Sequence, residues 1–276
     1  MVRLLRALAG DEAAATASAI ALADPANAEL PQLRKAIADA AGTKATTPTR
    51  TVVNVSQALS DVATRNGNNR WHQTIAGLTV AAGNKATLSG MIDREDRTVA
   101  VDTRIGLRTD MNFGNARYVY VAASVTPNAD FREKWGLRAG GEAGVAKTIN
   151  LTADLRYAKY ASTQIIAFEP GVRLHSADDR LSLAIKSINL WPEDDRHRSG
   201  WSVRGELQAK KSVRLVTGAA TYPDTEAGIT RRTRSAFVGA VVNLSERVTL
   251  RTFYEFERRA QSYTRNGVTL ALSVQF

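Results

Sequence analysis

Val268-Thr269-Leu270-Ala271-Leu272-Ser273-Val274-Gln275-Phe276 closes the chain. Val268, Leu270, Leu272, Val274 and Phe276 take every second position, and Thr269, Ala271, Ser273 and Gln275 fall between them. A period of two is the pleat of a β-strand, so the segment predicts a strand with one apolar and one polar face. The apolar stripe ends in register on an aromatic ring, which a soluble sandwich has no physical reason to require.

Working back from Phe276, the same period recurs in segments of about ten residues separated by turn residues. Val248, Leu250, Tyr254 and Phe256 oppose Thr249, Arg251 and Glu255. Trp201, Val203, Gly205 and Leu207 oppose Ser202, Arg204, Glu206 and Gln208. Ile149, Leu151, Ala153, Leu155 and Tyr157 oppose Asn150, Thr152, Asp154 and Arg156. Val99, Val101, Ile105 and Leu107 oppose Ala100, Asp102, Arg104 and Arg108. A strand covered on both faces reads as an unbroken apolar run, and these do not. Two architectures accept them. In a soluble sandwich the apolar faces pack together; in a membrane barrel they meet lipid while the charged faces line a lumen.

Composition narrows the classes. The 276 residues carry 37 Lys+Arg against 27 Asp+Glu, a net charge of +10, with 44% hydrophobic residues and no cysteine. That excludes a disordered tail, a disulfide scaffold and thiol chemistry. No apolar run is long enough for a transmembrane helix, which does not exclude a barrel because its alternating faces cancel in any window. The basic residues are scattered among acids, as in Asp93-Arg94-Glu95-Asp96-Arg97, with no zinc-finger spacing, RNP-like segment or phosphate loop. No nucleic-acid partner is expected.

Residues 1–41 differ from the rest: Ala/Leu-rich, with turns at Ala9-Gly10-Asp11 and Asp24-Pro25-Ala26-Asn27. Helices are predicted near Met1–Leu8, Glu12–Leu22 and Ala28–Ala40. Residues 42–50, Thr-rich with Pro48, read as a linker, and 51–276 as the β-domain. Counting from Thr51 gives about fourteen strands, within a range of 12–16. Short connections are expected near Ala82-Gly83-Asn84, Val145-Ala146-Lys147, Ser176-Ala177-Asp178, Lys210-Lys211 and Ser245-Glu246. Long polar ones are expected near Ala63–Asn69, Thr126–Lys134, Pro192–Gly200, Pro223–Thr233 and Ala260–Asn266. Short turns at one end and long loops at the other are the outer-membrane pattern. Thr109–Asn115, long, and Ala161–Thr163, short, break it. The prediction is a mostly β protein: a transmembrane antiparallel barrel behind a short α-helical segment.

Three resemblances follow. The closing stripe Val268, Leu270, Leu272, Val274 and Phe276 resembles the signal by which outer-membrane barrels are received by the barrel assembly machinery. Ala13, Ala17, Ala21 and Pro25 fit the second helix and exit of a tetratricopeptide repeat, which would start this chain inside a repeat. From about Trp71 to Phe276 the chain resembles the YaiO-type outer-membrane barrel family. The similarity is carried by Ala123-Ser124-Val125-Thr126-Pro127-Asn128-Ala129-Asp130-Phe131, by Gly218-Ala219-Ala220-Thr221-Tyr222-Pro223-Asp224-Thr225, and by Glu255-Phe256-Glu257-Arg258-Arg259 through Tyr263-Thr264-Arg265 to Phe276. It implies an outer-membrane location with a periplasmic leader, and supplies no reaction. An export signal is not visible: Asp11 and Glu12 fall where its apolar core belongs.

The chemistry expected is sparse. His72, His175 and His197 have no metal spacing, and no Gly-x-Ser-x-Gly elbow occurs, so no catalytic residue, metal or cofactor is assigned. The faces assigned to the lumen carry Asp102, Arg104, Arg108, Arg138, Glu142, Asp154, Arg156, Lys186, Arg204, Glu206, Arg214, Arg251, Glu255 and Glu257. Such charges either pair across strands and narrow the lumen or line a path for a polar solute or glycan. Trp71, Trp135, Trp191, Trp201, Tyr118, Tyr120 and Tyr254 suggest interfacial girdles. Arg196, Arg198, Arg231, Arg232, Arg234, Arg258 and Arg259 are expected in outer loops facing lipopolysaccharide phosphates. The function expected is a non-enzymatic channel or envelope scaffold, linked to polysaccharide export or surface anchoring, with a polysaccharide or a periplasmic protein as partner. The alternatives are an outer-membrane enzyme acting on lipid or glycan, and a soluble β-sandwich binding module.

Overall fold

The computed structural model describes residues 50–81, 85–114, 117–193 and 196–276. The helices expected in residues 1–41, and most of the linker, lie outside these residues. Fourteen strands follow one another: β1 (Thr51–Thr64), β2 (Gly67–Ala81), β3 (Ala86–Asp96), β4 (Val101–Asn112), β5 (Arg117–Val125), β6 (Trp135–Ala146), β7 (Ile149–Lys159), β8 (Gln164–His175), β9 (Leu181–Pro192), β10 (Arg198–Lys210), β11 (Val213–Glu226), β12 (Ile229–Asn243), β13 (Val248–Arg259) and β14 (Tyr263–Gln275). Each pairs antiparallel with its sequence neighbours, and β1 pairs with β14, from Val52↔Gln275 to Thr64↔Tyr263. The sheet closes on itself and leaves no edge strand.

Burial is inverted relative to a water-soluble core. Large apolar side chains, among them Leu59, Ile92, Leu107, Leu155, Val238 and Leu270, are exposed on the outer wall, while Asp93, Asp102 and Arg173 are at most 1% exposed inside. Leaving so many apolar side chains half-exposed in water costs on the order of 1 kcal/mol each, a cost that lipid removes. The closed wall has no second sheet to cover it, so the sandwich alternative is excluded. Val268, Leu270, Leu272 and Phe276 all point outward with this belt.

An even strand count puts both described ends of the barrel, Thr51 and Phe276, at one rim. The other rim corrects the expected loops. Three of the five long polar connections are largely strand: β1 and β2 meet across residues 65–66, β11 and β12 across 227–228, and β13 and β14 across 260–262; a fourth is shortened to residues 193–197, because β10 already begins at Arg198. Ala227 and Gly228 both have positive φ, the paired left-handed geometry of a two-residue hairpin turn. Thr109–Asn115 is also mostly strand, because β4 runs to Asn112. Strands of 14 and 15 residues in β1, β2, β11 and β12 exceed the 9–11 needed to span a bilayer, so these hairpins project beyond it. Thr126–Lys134, nine residues between β5 and β6, remains a long connection, and it turns inward.

Candidate functional site

The β5–β6 segment, residues 126–134, is held inside the rim opposite the termini. Thr126 N–H donates to the Lys134 carbonyl (2.9 Å), closing the segment at its base, and Asn128 takes a left-handed φ of 54° that brings the chain back. Its inward course is fixed by Asp102 on β4. The buried carboxylate accepts the backbone N–H groups of Asp130 (2.9 Å), Phe131 (3.1 Å) and Arg132 (2.8 Å). A carboxylate with three such donors is a charge-assisted anchor.

Side chains of the segment complete the attachment. Arg132 reaches both Asp93 oxygens (2.6 and 3.0 Å) and Glu95 (2.7 Å). Glu133 faces Arg104 (3.2 Å) and Arg156 (3.9 Å), and accepts from Ser124 Oγ (3.3 Å). Burial alone raises the Glu133 carboxyl; Arg156, Arg104 and its backbone hydrogen bond outweigh this and hold it below the ordinary carboxylate range. The Arg97 guanidinium lies over the rings of Phe131 (3.8 Å) and Trp71 (4.2 Å), and its nitrogens pair with Glu95 and Glu226. The segment also reaches the far wall, where Ala227 N–H donates to the Phe131 carbonyl (2.8 Å). Tyr160 Oη, from the β7–β8 connection, donates to the Thr225 carbonyl (2.9 Å). The segment is a strap across the lumen.

Beyond the strap the lumen wall is a set of ion pairs. Arg108 forks onto Asp110 (2.9 and 2.6 Å) while lying over the Tyr120 ring (3.8 Å). Tyr120 Oη donates to Asp154, whose other oxygen accepts from Lys186 (2.8 Å). Glu142 accepts from Asn150 (2.5 Å) and faces Arg173 (3.5 Å). Arg204 (2.7 Å) and Arg214 (3.5 Å) share Glu206, and Arg265 faces Glu257 (3.3 Å) and Glu255 (3.9 Å). Arg138 is 3.8 Å from Glu169, and Arg251 donates to Ser273 Oγ (2.6 Å). A cavity of about 620 Å³ remains, with Arg104, Arg108, Arg138, Arg204, Arg251 and Glu255 among its lining.

All fourteen residues singled out for the lumen therefore sit buried or half-buried on the inner face. Asp102, Arg104 and Arg156 belong to the strap network, and the others to the wall. Sequence reasoning missed Asp93, Glu95, Arg97, Arg132, Glu133, Glu226 and Arg265. The alternation of Asp93 and Glu95 inward with Arg94 outward was a usable signal; the inward turn of residues 126–134 had none. Three girdle assignments are wrong. Tyr118, Tyr120 and Trp71 are buried on the inner face, Trp71 edge-on to Tyr263 at 4.8 Å, whereas Trp135, Trp191, Trp201 and Tyr254 are exposed outside. The basic residues are mostly strand, not loop, and Arg259 points inward to Asp224 (3.5 Å) and Glu226 (3.4 Å).

The histidines stand apart. His72 is exposed on the outer face, His175 is 3.4 Å from Asn150 Nδ2, and His197 packs on Trp191. Among the described residues no serine hydroxyl hydrogen-bonds a histidine, and no acidic or histidine group is arranged to hold a metal.

No protein-family model and no curated protein matches the chain. Solved structures do. A CymD monoaromatic hydrocarbon channel superposes with a TM-score of 0.59 at 8% identity, over 91% of this chain and 93% of that one. The architecture is that of an outer-membrane β-barrel. A bacterial polysaccharide outer membrane secretin gives 0.58 at 10% identity, over 82% of this chain and 98% of that one. At these identities the likeness is one of fold.

Proposed function

We propose that this outer-membrane barrel is a non-enzymatic passage for a polar solute or a glycan chain, held shut at rest by the β5–β6 strap. The observation that carries this reading is the strap itself. A segment anchored by Asp102, Arg132 and Glu133 crosses a polar lumen to the β11–β12 turn. A purely structural plug needs no cavity beside it, whereas a passage does. The neighbour described as a polysaccharide secretin favours a glycan as cargo, with surface anchoring of such a chain as the related role. The YaiO-type resemblance, the tetratricopeptide-like leader on the periplasmic side and reception by the assembly machinery through Phe276 belong to the same proposal. They rest on the sequence stretches that carry them.

Reconstituted in a planar bilayer at neutral pH, the barrel is expected to be silent apart from rare, brief openings. Sustained conductance in the unmodified protein would overturn closure at rest.

The same assay has a pH arm. Glu133 is held below its ordinary value of 4.5, so its ion pairs are at full strength above that value and are lost only as pH falls through the lowered one. Openings are therefore expected to stay rare across the neutral range and to become frequent only once pH has fallen below the ordinary carboxylate value of 4.5. A rise beginning near pH 6 would point to a histidine and remove Glu133 from the latch.

A further inference from the structure

Arg232 and Arg234 stand two residues apart on β12 and so share its outer face, and Arg258 on β13 is the direct cross-strand partner of Arg234. All three are exposed. Along the same two columns, toward the middle of the wall, come Val238, Phe256 and Tyr254, exposed at 56, 38 and 50%. Thr221, which pairs with Arg234, joins this group to exposed Trp201 on β10. The arginines thus sit where the apolar belt ends, at the rim opposite the termini.

Their environment differs from that of other arginines nearby. Arg259, one residue on and facing inward, is paired with Asp224 and Glu226, and Arg70, exposed on the outer face of β2, faces Asp61 at 3.5 Å. Among the described residues no carboxylate pairs with Arg232, Arg234 or Arg258; Arg232 makes one hydrogen bond, to the Ser199 carbonyl (2.7 Å). Like charges directly opposite one another on a sheet repel. An anion bridging them removes that cost, and guanidinium groups at headgroup depth are suited to forked hydrogen bonds with phosphate.

We infer that Arg232, Arg234 and Arg258 clamp the phosphates of a lipopolysaccharide headgroup packed against the outside of β12–β13, its acyl chains lying on Val238, Tyr254 and Phe256. This rests on the orientation of the barrel, with its termini toward the periplasm, and is independent of whether the lumen conducts.

The test is a native mass spectrometry titration of the whole chain, folded in neutral detergent, with bisphosphorylated lipid A, the same lipid dephosphorylated, and inorganic phosphate. Lipid A is expected to bind at least about tenfold more tightly than its dephosphorylated form. R232Q/R234Q/R258Q is expected to erase that margin, and R70Q/R94Q, which removes two other outward arginines, to preserve it. Equal binding of the two lipids in the unmodified protein would overturn the clamp whether or not the triple variant folds. So would a triple variant, confirmed folded by its heat-modifiable mobility, that keeps the margin. Inorganic phosphate competing at the same concentration as lipid A would overturn a lipid in favour of a free anion.

Discussion

Asp102→Ala is expected to turn a silent barrel into one that opens repeatedly in a planar bilayer. The carboxylate is fully buried and accepts three consecutive backbone N–H groups of the strap. Its removal takes away the side-chain acceptor that all three donors share. Hydrogen bonds to a charged group contribute roughly 1.5–3 kcal/mol each in isolation, but the strap keeps its other anchors, so about 2 kcal/mol is a reasonable net loss. That raises the open-to-closed ratio about 30-fold. Adding Arg132→Ala, which also releases Asp93 and Glu95, is expected to bring the total to about 4 kcal/mol, or roughly a thousandfold. The two losses act on one segment, so sub-additivity would itself show that the anchors cooperate. Both variants keep every strand pairing and should retain the heat-dependent gel mobility of a closed barrel. A folded double variant as silent as the parent would remove the strap from the gate.

What the sequence revealed and what it concealed divide along one physical line. Where a strand lies between lipid and a charged lumen, its faces demand opposite side chains, so Leu151, Ala153 and Leu155 against Asn150, Thr152 and Asp154 read directly as a wall. Beyond the bilayer that demand vanishes. In Tyr222–Glu226 and Thr230–Arg234 both faces are polar, yet Glu226↔Ile229 and Pro223↔Arg232 continue the ladder. Backbone pairing persists after the side-chain pattern has stopped reporting it, and these stretches pass for loops. The opposite ambiguity hid the tyrosines. Arg117-Tyr118-Val119-Tyr120-Val121 is apolar on both faces, and only Asp154, two strands away, gives the Tyr120 hydroxyl a reason to point inward.

The strap was illegible for a third reason. Thr126-Pro127-Asn128-Ala129-Asp130 has the composition of any exposed turn, and its inward course depends on Asp102, Asp93 and Glu95, which lie some thirty to forty positions earlier. Long-range pairing of this kind leaves no local period. Its cost is visible in the wall: a carboxylate buried without partners would be strongly unfavourable, so Asp93, Asp102 and Asp154 imply donors that a one-dimensional pattern cannot locate. The lumen charges therefore identified an interior without identifying which of them hold the strap.

Gly140→Val is expected to damage the wall severely, through its buried charges as well as its backbone. A Cβ at Gly140 would lie 2.5 Å from Asp154 Oδ1, 2.8 Å from the Ala153 carbonyl and 2.8 Å from Tyr120 Cε1. The carbonyl belongs to the β6–β7 ladder and cannot retreat, so Tyr120 and Asp154 must, and their movement also disturbs Lys186 and the Arg108 guanidinium stacked on the ring. Overpacking costs typically 1–3 kcal/mol, and parting a buried carboxylate from its donors adds about as much, for a total near 4 kcal/mol. Gly205 supplies the control, since a Cβ there meets only the Thr217 methyl, at 3.8 Å. Gly205→Ala should match the parent in the heat-modifiable fraction and in denaturant midpoint. Gly140→Val should give little folded barrel in the outer membrane, and what folds should unfold at clearly lower denaturant. A valine variant with the parent's midpoint would mean that the inner wall yields more easily than its paired charges imply. The Tyr120–Asp154–Lys186 chain would then be a consequence of the barrel's closure rather than one of its supports.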